Sequence, residues 1–136
     1  MNVLVVEPGY LPYEKEINGL HEMQALVGGL IDAIYPYADP VAIVCNDEAL
    51  LHNMPFNRSV EGGYGGVFGT FFVCGLGEEN FASLSPELME KYKEKFKNAE
   101  LLIGAKGNAP VTLKFKAEPK PKQEASKSQR RDEAQR

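Results

Sequence analysis

Cysteine and histidine are scarce in this 136-residue chain, with two of each. His21 and His52 are not spaced with Cys45 or Asp47 as metal ligands usually are, so no metal site is expected. Cys45 and Cys74 each sit inside an apolar run. That placement fits reduced, buried thiols in a cytosolic protein better than a disulfide between the two. Long apolar runs are also missing, which excludes a membrane-spanning helix. The opening MNVLVVEPGY has neither a basic leader nor a long apolar region, which argues against a signal peptide and for the cytoplasm. Catalytic signatures are missing too. No Ser-His-Asp arrangement or paired-carboxylate signature stands out. Cys45 and His52 can be drawn as nucleophile and base, yet a thiol in an apolar run loses reactivity. The expectation is a protein that is not an enzyme and needs no cofactor.

Arginine is nearly absent from the first 116 residues, where Arg58 is the only one. The chain carries −4 overall; its last twenty residues, AEPKPKQEASKSQRRDEAQR, carry +2, which leaves −6 for residues 1–116. A duplex-binding domain usually shows a basic patch, so nucleic acid is not an expected partner. The last twenty residues also lack any large apolar side chain. They cannot bury enough surface to offset their ordering entropy. The organisation expected is one domain, residues 1–116, followed by a disordered charged tail, residues 117–136.

What the chain does hold is a run of strand and helix patterns. NVLVV at 2–6 is β-branched and ends at the Pro8-Gly9 turn. Residues 10–17 return as a second strand that Pro12 places at an edge. Asn18 caps a helix whose Leu20, Met23, Val27 and Leu30 form one stripe, and Gly28-Gly29 ends it. LIDAIY at 30–35 reads as a strand, and VAIVC at 41–45 as the strand in the sheet centre. Residues 50–60 are mixed, with Pro55 against a regular central strand. EGGYGGVFG at 61–69, with five glycines, reads as a flexible loop. TFFVCGL at 70–76 is a strong strand. Ser85 and Pro86 open a second helix, with Leu88, Met89, Tyr92 and Phe96 on one face and Glu87 placed to pair with Lys91. ELLIG and VTLKF, within 100–116, suit a final hairpin. Strands cluster between the helices and do not alternate with them. The fold expected is α+β, a mainly antiparallel sheet with two helices packed on one face. The sheet's other face is then open to a partner.

The pieces VLVVE (3–7), INGLHEMQALVGGLIDAIY (17–35), VAIVCN (41–46), PFNR (55–58) and GTFFVCGL (69–76) together resemble a known family. It is the family of domain of unknown function 3846, and the likeness covers about residues 1–97. Members of that family are small proteins of phages, plasmids and gut bacteria. The resemblance implies a mobile-element accessory protein in a bacterial host cytoplasm, and no established chemistry. Small phage proteins often counter host defence, by blocking an effector or by sequestering a nucleotide signal; this is analogy of lifestyle.

The candidate ligand residues are Arg58, Asn57, Tyr64, Asn46 and Thr70. Guanidinium binds phosphate in a bidentate way, and Arg58 stands beside the glycine-rich stretch; its bland role is an ion pair. That stretch matches neither GxxxxGK[ST] nor GxGxxG between strand and helix. Tyr64 at its centre suits stacking on a base, and a plain hairpin connection is the simpler reading. Tyr10, Tyr13, Tyr35 and Tyr37, at turns or strand ends, suit stacking or rim packing. Asn46 either reads a base edge or makes a turn. The leading expectation is a non-catalytic anti-defence protein that sequesters a small nucleotide-type signal, as a homodimer. The alternative is a protein-interaction inhibitor that masks a host defence or nuclease component through an exposed sheet face.

Overall fold

The computed structural model describes residues 1–121. In chain order the elements are β1 (Asn2–Val6), β2 (Tyr13–Glu16), α1 (Gly19–Val27), β3 (Ile31–Ile34), β4 (Val41–Asn46), β5 (Phe56–Val60), β6 (Gly65–Phe68), β7 (Phe71–Leu76), β8 (Phe81–Ala82), α2 (Pro86–Lys95), β9 (Asn98–Lys106) and β10 (Ala109–Lys116). The main sheet runs β2-β1-β7-β4-β3, with β8 on the end of β7. Its strand pairs are antiparallel. Two separate hairpins, β5–β6 and β9–β10, lie off it. The architecture is α+β and mainly antiparallel.

The sheet centre is β7, with β4 beside it. Phe71, Phe72, Val73 and Cys74 are inaccessible along β7, so both faces of that strand are covered. The same holds for β1 and β4. This corrects the expectation that both helices share one face. Leu4, Val6, Val41, Ile43, Phe71 and Val73 pack with Met89, Tyr92 and Phe96 from α2 and its end. Val3, Val5, Ala42, Val44, Phe72 and Cys74 pack on the other side with Val27 of α1. The physical reason is the absence of period-two polarity in VLVV, VAIV and FFVC. Continuous apolar strands need cover on both faces, and each helix supplies one. The supposedly open face is therefore under α1. Cys45 packs with the α2-side cluster and Cys74 with the α1-side cluster, and both thiols are free.

The helix-end signals hold at Gly28 and at Ser85, whereas Asn18 occupies the first cap position of α1 without a side-chain capping hydrogen bond. Gly28 ends α1 in the left-handed region at φ 85°, and the Ser85 hydroxyl accepts from the Leu88 amide at the start of α2. Only part of the α1 stripe is used: Val27 is buried, whereas Leu20 and Leu30 stay exposed. Lys91 does not need Glu87; it pairs with Asp39 at 2.6 Å.

The glycine-rich stretch forms the plain hairpin connection, the simpler reading, and part of it is strand β6. Its turn holds Gly62 and Gly63 at positive φ, and β6 pairs back on β5. Gly66 is there for space, because a Cβ would stand 2.4 Å from the Phe56 ring. Residues 117–121 do not belong to a loose tail. Ala117 is buried, Glu118 exchanges backbone hydrogen bonds with Gly9 and Leu11, and Lys120 pairs with Glu7. The remainder of the expected tail, 122–136, lies outside the described residues.

Candidate functional site

Arg58 and Asn57 sit on β5 with no accessible surface. The Arg58 guanidinium spends its donors on the protein itself. Nε and Nη2 reach the Phe96 carbonyl at 3.2 and 3.0 Å. Nη2 also reaches the Tyr10 carbonyl at 2.8 Å. Nη1 binds Asn57 Oδ1 at 2.8 Å and leans on the Asn57 carbonyl at 3.5 Å. A guanidinium has five N–H donors, and each has a contact here. Phe96 closes α2, so the cation also complements the negative end of that helix. Burial lowers the guanidinium pKa to about 10, with Glu100 acting the other way; it stays charged at neutral pH. Asn57 is equally occupied, since Nδ2 donates to the carbonyls of Val6 and Gly69 at 2.9 and 2.8 Å. This pair joins four distant pieces of backbone. It has no donor left for a phosphate, which corrects the ligand role read from the sequence.

Asn46 also works inward. Its Nδ2 caps the Val27 carbonyl at the end of α1, and its Oδ1 accepts from the Glu48 amide at 2.7 Å. The turn role is the one it plays. Thr70 is half-buried in the β6–β7 connection. Tyr64 is 46 % exposed on the β5–β6 turn.

Asn46 and Tyr64 do meet around one groove of about 290 Å³. Its floor is Ile34 and Cys45, one side is the turn Asp47–Leu51, and the other is β6 with Tyr64. Asp32, Asp47 and Glu48 line it, and among the described residues no lysine or arginine does. Leu50 and Leu51 stand 69 % and 77 % exposed on its turn. The groove is therefore acidic with apolar walls. The Cys45 thiol at its floor is pushed up to about 11 by burial, with Asp32 and Asp47 adding to the effect. It remains protonated near neutral pH, which removes its strength as a nucleophile. His52 is turned to Glu48 at 3.3 Å. Among the described residues, no group of three or more His, Cys, Asp or Glu side chains could hold a metal ion, and no helix is long and apolar enough to cross a membrane.

Sequence reasoning missed Leu50 and Leu51. The signal was two adjacent leucines inside the turn-forming stretch NDEALLHN, where nothing required apolar side chains. Comparison with curated proteins found no match, and comparison with solved structures found none. A family model does match, over residues 1–97, and its boundaries enclose both the Arg58 assembly and the groove. The chain belongs to the family of domain of unknown function DUF3846.

Proposed function

We propose that this chain is a non-catalytic protein-binding protein that takes a short basic, apolar-anchored segment of a partner into its acidic groove. The observation that carries this reading is the lining: among the described residues, three carboxylates and no lysine or arginine, beside two leucines exposed to solvent. Carboxylates attract lysine or arginine and repel phosphate, and complementary charge sets register and on-rate. Leu50, Leu51 and Tyr64 supply the apolar and aromatic anchors that recognition grooves use. The mobile-element setting implied by the family likeness makes a host defence or nuclease component the natural partner. Capture of a nucleotide-type signal is the second reading, and Tyr64 at the groove mouth favours it through base stacking. That reading must hold phosphate without Arg58.

Fluorescence polarisation with short peptides that combine arginine and leucine tests the proposal. Saturable binding is expected, weakening as salt screens the carboxylates. The double variant Asp47→Asn/Glu48→Gln and the variant Leu51→Ser each lose about tenfold in affinity, the size of one modest contact. Absence of saturable peptide binding, with binding of a cyclic dinucleotide or ADP-ribose instead, moves the second reading to the front.

A further inference from the structure

The β9–β10 hairpin has two unlike faces. Cross-strand partners share a face, so the register puts Leu101 with Leu113 and Ala99 with Phe115 on one side, and Glu100 with Lys114 and Leu102 with Thr112 on the other. The second side is docked at Glu100, while Leu102 on it is 36 % exposed. Glu100 is buried and its Oε1 accepts from the Ser59 amide, the Ser59 hydroxyl and the Thr112 hydroxyl at 3.1, 2.8 and 3.1 Å. The first side is covered only at its base, where Ala99 is buried; beyond it, no such cover is present among the described residues. Leu101, Ile103, Val111, Leu113 and Phe115 are between 40 % and 56 % exposed.

We infer that this outer face is a homodimer interface, in which two copies pack their β9–β10 hairpins face to face about a two-fold axis. The area is sufficient. Five half-exposed side chains of this size leave roughly 500 Å² of apolar surface per copy, at the upper end of what a monomer shows. Two copies bury together roughly 1,000 Å² from these residues alone, the floor for a stable interface, before the rim is added. The charge pattern selects the occupant. Glu100, Lys114 and, by the same register, Lys116 fall on the docked side, so the outer face is uncharged until Lys106 at its tip. A chain of net charge −4 meets its own copy with least repulsion there. The face offers a foreign partner no ion pair to fix register. A second copy needs none, because an isologous contact brings the identical stripe to itself. Each twisted two-stranded ribbon, marginal alone, also gains the second covering layer it lacks.

Size-exclusion chromatography with light scattering and native mass spectrometry test this on the full chain without any peptide, so the outcome is independent of the groove. A dimer is expected for the parent protein at micromolar concentration. Leu113→Asp loosens it on the order of 30-fold or more, as for a central interface residue. Should Leu113→Asp not fold, Leu113→Thr keeps a strand-forming residue at the position and is expected to yield folded monomer. A parent protein that stays monomeric up to about 100 μM overturns the inference. So does a dimer that both folded variants leave intact.

Discussion

The residue with the largest consequence is Arg58, a cation held with no accessible surface and, among the described residues, no directly bonded carboxylate. Desolvating a charge is costly unless hydrogen bonds replace its water. Here the Phe96 and Tyr10 carbonyls and the Asn57 amide do so. Arg58→Ala leaves those acceptors unpaired and opens a cavity, and should lower stability by about 3–5 kcal/mol, read from the urea midpoint. Arg58→Lys should recover only part of that loss, because an ammonium cannot span three acceptors in a plane. None of this was legible in the sequence. Two of the acceptors are backbone carbonyls 38 and 48 positions away, and a carbonyl leaves no mark on residue type. The neighbouring glycines made a ligand role look natural, while Gly66 is explained by the Phe56 ring.

At the scale of elements, one carboxylate ties the hairpin β9–β10 to β5 by hydrogen bonds from Ser59. The Ser59 amide and hydroxyl on β5 donate to Glu100 Oε1, and the Thr112 hydroxyl joins them from within the hairpin. Glu100→Ala should free the hairpin without melting the sheet. Amide exchange in 98–116 should quicken by about tenfold, the worth of one such contact, while β1, β4 and β7 keep their protection. A uniform change across the chain would contradict this. Elements whose ends carry local chemistry were readable beforehand. Gly28 and the Ser85-Pro86 pair set helix ends by themselves, and Met89, Tyr92 and Phe96 show their stripe. The connection between β5 and β6 was readable as a plain hairpin, but strand β6 itself was not, because GGVF offers little strand propensity and its pairing depends on Phe56 packing over Gly66.

The whole molecule is a sheet sealed on both sides, with α2 on one face and α1 on the other. The apolar runs VLVV, VAIV and FFVC already carried that information. Counting strands between helices pointed elsewhere, since element order does not say which face a helix covers. One tie across the molecule is sensitive to acid. Asp39, in the β3–β4 connection, accepts from Lys91 and from the Tyr92 hydroxyl on α2. Those hydrogen bonds, Lys91 first, hold its pKa below the usual 3.8. A carboxylate lowered in the folded state contributes stability above its unfolded pKa and loses it as pH falls through the folded value. Parent protein and Asp39→Asn should therefore differ in urea midpoint at neutral pH and converge on acidification below about pH 4. The difference will be modest, because the pair is exposed.

The Arg58 assembly also bears on the order in which a ribosome delivers this chain. Tyr10 has emerged long before Arg58, but Phe96 follows it by 38 residues. Until then the guanidinium lacks the Phe96 carbonyl that takes two of its donors and must keep water there, so β5 cannot settle permanently on the growing protein. The segment matched by the family ends at residue 97, one position after the carbonyl that completes the shell. Nascent chains arrested before Phe96 should remain open to protease at β5, and those long enough to expose α2 should close.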